Sequence, residues 1–213
     1  MSFRSWVNAG LAAQLGRPAG LRGRVVAILL NRSNAGLIAR AAEAAAVQPG
    51  AVVADLGFGG GLGLSLLLDR VGAQGQVHGV ELSTTMLSRA ARRFRREVVA
   101  GRLHLHSASM TQLPLADRSL DGVITNNTLY FIPELDQAFR ELARVLSLPG
   151  RAVVGIGDPQ MMAEMPTTPY GFKIRPVEEV VSVASSAGLR LADHQRAGEG
   201  ERAAHLLVFG HTS

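Results

Sequence analysis

The run Val52-Val53-Ala54-Asp55-Leu56-Gly57-Phe58-Gly59-Gly60-Gly61-Leu62-Gly63 constrains this chain more than any other stretch. It reads as a buried strand that turns through glycines directly into a helix from Leu62 to Val71. Gly57, Gly59, Gly60, Gly61 and Gly63 fall within seven residues. Glycine tolerates positive φ and lets a ligand approach the backbone closely. The free N–H groups at the start of the helix face whatever sits on the turn. Standing alone, such a turn binds a dinucleotide, a phosphate or nothing.

Three details narrow the choice. A dinucleotide loop beginning at Gly57 requires glycine or alanine at position 62, where this chain has Leu62. No Lys-Ser or Lys-Thr pair follows the glycines, which excludes a P-loop. Asp55 ends the strand two residues before the first glycine. An acid there repels a pyrophosphate but accepts from a cationic amino-acid moiety, directly or through water. Glu81, after Val77-His78-Gly79-Val80, supplies a second acid at a strand end. A carboxylate so placed can hold both ribose hydroxyls, in a dehydrogenase as well. It also favours the N-terminus of a helix starting at Ser83.

Asp-x-Gly-x-Gly-x-Gly at 55–61 with an acid at 81 resembles the class I S-adenosylmethionine-dependent methyltransferases, of the methyltransferase type 11 kind. The stretch from Leu113 to Ile124 is similar to that family's "LPF-x-DxSFDxV" segment. The likeness covers roughly residues 48 to 157. It implies a doubly wound, mostly parallel seven-stranded α/β sheet, Rossmann-like, with its last strand antiparallel. It also implies S-adenosylmethionine as cofactor and S-adenosylhomocysteine as product. Asp55 and the loop residues Gly57, Phe58, Gly59 and Gly61 would hold the methionine part. Glu81 would bind the ribose hydroxyls, with Leu82 against the adenine. Ser109 stands where family members often carry Asp for the adenine amine, and Met110 would contact the ring. Asn126 and Asn127 would sit near the methionine and the transferred methyl group.

The remaining pattern agrees with that fold. Strands are expected at Ala51–Asp55, Gly75–Val80, Arg102–His106, Ser119–Thr125, Arg151–Ile156, Leu189–Gln195 and Ala203–Phe209. Helical patterns at Ser83–Val99, Glu134–Leu146 and Pro176–Ala187 alternate with them, as in a doubly wound sheet. The last two strands, joined through Gly198-Glu199-Gly200, must be antiparallel. Phe3, Val7, Leu11 and Leu15 recur at helical spacing, and further helices are expected at Leu21–Leu30 and Ala35–Ala46. Residues 1–47 are therefore read as a helical lid packed on the methyltransferase domain of residues 48–213, the whole forming one structural domain. Trp6 and nearby arginines leave open a membrane-surface role for that lid.

Composition bounds the rest. At 213 residues, 47% hydrophobic and 18% charged, the chain suits one globular domain. The absence of cysteine excludes disulfides, thiolate metal sites and cysteine nucleophiles, and suits the cytoplasm. No apolar run approaches the roughly 20 residues of a membrane span, and the first residues lack a signal-peptide core. The net charge is +5, and of 22 basic residues only Lys173 is lysine. That bias reads as coding composition before it reads as an anionic partner. The arginines at 89, 92, 93, 95 and 96 read as a solvated helix face, so nucleic acid is not expected.

The expected partner is a small organic acceptor methylated on O, N or S. A lipid headgroup is the alternative. Asn31, Asn34, Tyr130, Asp158 and Tyr170 are the candidates for touching it, each equally able to pack, and no catalytic base is assigned. His104 and His106 share a strand face without a third ligand nearby, so they are read as structural and no metal is expected. Asn126-Asn127-Thr128-Leu129 is not the Asn/Asp-Pro-Pro-aromatic motif of many enzymes that methylate exocyclic or amide nitrogens. Arsenic methylation in related enzymes uses cysteines. An NAD(P)-dependent oxidoreductase lacks its Tyr-x-x-x-Lys pair here, since Lys173 follows Tyr170 by three. A non-catalytic cofactor-binding protein also remains open.

Overall fold

The structure is a computed structural model that describes residues 34–165, 168, 172–198, 200 and 203–212. The helical pattern of Phe3 to Leu15, the helix at 21–30, Trp6, Asn31 and Tyr170 lie outside the described residues.

Seven strands form one sheet: β1 (Val52–Leu56), β2 (Gln76–Glu81), β3 (Leu103–Ser107), β4 (Leu120–Asn126), β5 (Leu146–Ile156), β6 (Leu189–Ala197) and β7 (Ala204–His211). Their spatial order is β3-β2-β1-β4-β5-β7-β6. The first five run parallel, while β7 lies antiparallel to both β5 and β6. Around the sheet lie α1 (Ala35–Ala44), α2 (Leu62–Val71), α3 (Thr84–Arg93), α4 (Arg95–Val99), α5 (Leu135–Val145), α6 (Pro159–Glu164) and α7 (Val177–Ser186).

Strand residues divide between two cores by the two-residue alternation of a pleated strand. Val53, Ile124, Val153 and Val208 face the layer of α1, α2 and α3, with Leu64, Leu67 and Met86. Ala54, Val123, Val154, Leu207 and Phe209 face the layer of α5 and α7, with Phe139, Leu142 and Val180. Both faces being covered, the strands read as near-continuous apolar runs. Within the first layer, Leu37, Ala41 and Ala42 bury one side of α1, which packs on α2, β4, β5 and β7.

Two expectations are corrected. The helix read as continuous from Ser83 to Val99 breaks at Phe94 (φ −106, ψ 31), giving α3 and α4. The Phe94 ring is buried at this break and turned onto the glycine loop, its Cε2 3.2 Å from where a Cβ on Gly61 would stand. The fifth strand begins at Leu146, not Arg151. Leu120 pairs with Leu146, but Gly122 pairs with Arg151, so the Leu148-Pro149-Gly150 segment bulges out of the ladder and does not end the preceding helix as a loop.

The strand order reverses between β1 and β4, whose neighbours continue in opposite directions. Open α/β sheets bind ligands at such a switch point, outside the carboxyl ends of the strands. The glycine loop after β1 and Asn126-Asn127 after β4 meet there.

Candidate active site

Residues from the ends of β1, β2, β4 and β5, the 108–111 loop, α1 and α6 enclose a cavity of about 1050 Å³. Its floor is the glycine turn. Gly57 adopts φ 73, and its N–H donates to Val80 O at 2.8 Å. A Cβ on Gly57 would stand 2.5 Å from Thr128 Oγ1, so the position excludes a side chain on conformational and steric grounds together. Gly63 faces Asp55, whose Oδ2 occupies the space a Cβ would need.

Glu81 binds this turn from the side. Its Oε2 accepts from Gly59 N–H at 3.0 Å, and its Oε1 accepts from Leu82 and Ser83 N–H at 2.8 and 2.9 Å. Gly57, Phe58, Gly59, Glu81, Leu82, Ser109, Met110, Asn126 and Asn127 all line the cavity. Asp55 and Gly61 do not line it and stand behind the wall. Asp55 is 4% exposed, and burial, reinforced by the charge of Glu81, pushes its carboxyl up to about 8. Ser109 lines the cavity, with its hydroxyl engaged locally: Oγ lies 2.8 Å from Thr111 Oγ1 and accepts from Thr111 N–H. Asn126 brings an amide whose Oδ1 is buried without a hydrogen-bond partner, while Asn127 takes φ 56 and donates its N–H to Gly155 O.

Of the acceptor candidates, Asn34 and Tyr130 line the cavity. The Tyr130 hydroxyl accepts from Gly157 N–H at 2.6 Å, and burial raises its pKa above the ordinary phenol range, keeping it protonated. Asp158 does not line it. The Asp158 carboxylate accepts from Met161 N–H at the start of α6 and lies 3.5 Å from His205 Nε2 and 3.7 Å from Arg196 Nη2. His78 stacks on both His104 and His106, at 5.0 and 5.2 Å between ring centres. Among the described residues no cluster of His, Asp or Glu is arranged to hold a metal ion.

The segment from Leu113 to Asp121 holds its neighbours in place. Arg144 of α5 pairs with Asp117 at 2.7 Å and with Glu141, and donates to Leu115 O and Leu113 O. Asp121 Oδ2 accepts from Val52 N–H at 2.9 Å, tying this segment to β1.

The sequence reading passed over Thr128, Arg40 and a wall formed by Phe131, Ile132, Phe172, Met161, Met162 and Met165. Three of the chain's six methionines fall at 161–165, a cluster that signals a pliable apolar surface.

The sheet order, the reversed β7 and a glycine turn clasped by an acid from β2 define the class I methyltransferase fold. Residues 54–154 match the family model described as "Methyltransferase domain", and over that stretch the chain resembles the class I S-adenosylmethionine-dependent methyltransferases. It is 33% identical over 135 residues to a demethylmenaquinone methyltransferase of Desulfitobacterium hafniense, covering 63% of this chain and 50% of that one. It is 34% identical over 122 residues to an arsenite methyltransferase of Halobacterium salinarum, covering 57% and 30%. The chain thus spans half or less of the length of these relatives. A solved S-adenosylmethionine-dependent methyltransferase of Aquifex aeolicus superimposes with a TM-score of 0.71, covering 96% of this chain and 98% of that one at 17% identity. No helix among the described residues is long and apolar enough to cross a membrane.

Proposed function

We propose that this chain transfers a methyl group from S-adenosylmethionine to an oxygen, nitrogen or sulfur of a small organic acceptor. The observation that carries the reading is the hydrogen bond of Glu81 to Gly59 N–H at the wall of the cavity. It sets a ribose-binding acid and a glycine turn side by side in a space of about 1050 Å³. That volume exceeds the roughly 300–1,000 Å³ of sites for one small ligand.

The donor set fits the cofactor. The turn offers close approach to its backbone where Gly57 leaves no room for a side chain, Glu81 offers carboxylate oxygens, and Leu82 and Met110 offer apolar surface for a flat ring. Asp55 supports the turn from behind through its packing against Gly63. When bound, the cofactor supplies a methyl group activated on a sulfonium. The task left to the protein is to hold acceptor and methyl in line and to exclude water. Asn127 and Tyr130, where the ends of β4 and β5 meet, orient the acceptor, and α1 lines the same cavity. The absence of cysteine in the chain speaks against arsenite as acceptor, and a cysteine-free chain suits the cytoplasm.

Calorimetric titration with S-adenosylhomocysteine and with NADPH tests the assignment. Micromolar binding of the former is expected. Micromolar binding of NADPH alone overturns it. Labelled-methyl transfer to a panel of phenols, amines, thiols and lipids then identifies the acceptor.

A further inference from the structure

We infer that the acceptor is an elongated apolar molecule that carries its methylated atom at one end, seated near Tyr130, and leads its apolar body out between Met161 and Met165. This rests on the methyltransferase reading above and deepens it. The cavity has two unlike halves. The half built by the glycine turn, Glu81 and Ser109 is rich in hydrogen-bonding groups. The other half is walled by Tyr130, Phe131, Phe172 and the three methionines.

Three features of that wall point to an extended apolar ligand. First, the aromatic rings form a contiguous surface. Phe131 and Phe172 lie 4.8 Å apart between centres, and Phe172 and Tyr130 lie 6.0 Å apart. Second, the wall runs from the interior to the surface. Tyr130, Ile132 and Met162 are buried, whereas Met161 and Met165 are 38% and 36% exposed yet line the same cavity. Exposed large apolar groups arranged on a cavity rim mark a binding surface. Third, the polar group at the inner end is already fixed. Tyr130 Oη accepts from Gly157 N–H, and Gly157 packs against Met162, since a Cβ there would stand 3.0 Å from Sδ. One phenolic oxygen at the closed end and thioethers at the open end suit a ligand with a polar tip and an apolar body. Methionine suits that exit because its flexible thioether adapts to irregular shapes.

A series of phenol, 4-butylphenol and 4-octylphenol, titrated into the protein with and without S-adenosylhomocysteine, tests this. Affinity is expected to rise at least tenfold from phenol to 4-butylphenol, given roughly fourfold per fully buried methylene. The double variant Met161→Gln with Met165→Gln is expected to flatten the rise from butyl to octyl and to leave S-adenosylhomocysteine binding within twofold. Phe172→Ala is expected to weaken the whole series. Equal affinity across the series overturns the inference, as does tighter binding of ethanolamine phosphate than of 4-octylphenol. Failure of S-adenosylhomocysteine to bind while the series behaves as expected overturns the methyltransferase reading and leaves the apolar channel standing.

Discussion

Glu81 Oε2 and the Gly59 N–H stand 3.0 Å apart, so the carboxyl end of β2 grips the turn that follows β1. The other oxygen of the same carboxylate holds Leu82 and Ser83. One side chain thus fixes the turn and the start of α3 relative to each other. Any ligand resting on the turn meets Glu81 in a set position.

Replacing Glu81 by Gln keeps the shape but removes the charge that strengthens these bonds. Hydrogen bonds to charged groups contribute about 1.5–3 kcal/mol. S-adenosylhomocysteine affinity is expected to fall roughly 10- to 100-fold by calorimetry. A change within twofold would remove Glu81 from the cofactor site.

Gly63→Ala is expected to destabilise the fold by about 1–3 kcal/mol, the usual cost of overpacking. Its Cβ meets Asp55 Oδ2 on one side and Ile124 Cδ1 at 3.0 Å on another. Gly36→Ala, whose Cβ meets nothing within 4 Å, serves as the control in urea denaturation.

Asp55 sets the dependence of stability on pH. Its carboxyl is raised from 3.8 to about 8 by burial and then by Glu81. The folded chain therefore holds a proton that the unfolded chain releases above about pH 4. This contribution is complete below that pH, declines as pH rises, and is gone above about 8. Asp55→Asn is expected to flatten the fall in melting temperature between pH 6.5 and 8. An unaltered slope would show that Asp55 is ionised in the fold.

His78 acts in the opposite sense. Burial, with His106 and His104 adding to it, lowers its imidazole from 6.5 to about 4. Its contribution is present above pH 6.5 and is lost as pH falls toward 4. His78→Asn is expected to retain more of its stability than the parent does on going from pH 6.5 to 4.5. Thermal melts of both proteins across that range give the comparison.

Arg175 is the least exposed cation of the described residues. It pairs with Glu179 at 2.6 Å and donates to Ile132 O at 2.7 Å, fastening the segment that carries Phe172 to the end of the aromatic wall. Breaking a buried pair costs about 3–5 kcal/mol. Glu179 retains solvent contact at 39% side-chain exposure, so Arg175→Met is expected to cost about 2 kcal/mol, less than the loss of a fully buried pair. Equilibrium unfolding in urea measures it.

The half of the cavity proposed for the cofactor was readable because its signals are local. An apolar run, glycines at fixed spacing and an acid at the next strand end are all short-range, and Leu62–Val71 folds as the helix that run announces. The strand segments followed from alternation, the antiparallel last pair from its short connection through Gly198-Glu199-Gly200, and their union in one seven-stranded sheet from the family resemblance. The departures arise from partners distant along the chain. Phe94 breaks its helix where its ring packs on Gly61, and the reach of β5 back to Leu146 depends on pairing with Leu120. Asp158 looked available for an acceptor, yet Met161 N–H, His205 and Arg196 surround it. Arg175 gave no sign of burial among the other arginines. The aromatic and methionine wall draws on segments more than 25 residues apart whose meeting no spacing rule reveals.

The crowding around the glycine turn has a consequence for how such a protein can change. Thr128, Asp55 and Phe94 each fill the space that a side chain at Gly57, Gly63 or Gly61 would take. Drift at these positions is closed from three directions, so the turn proposed to seat the cofactor is inherited whole or lost. The opposite wall is held by flexible thioethers and partly open rings that tolerate exchange. On the proposed methyltransferase reading, acceptor range can therefore be re-cut at Met161, Met162, Met165 and Phe172 while the glycine turn stays as it is, which makes those positions the place to randomise when selecting new acceptors.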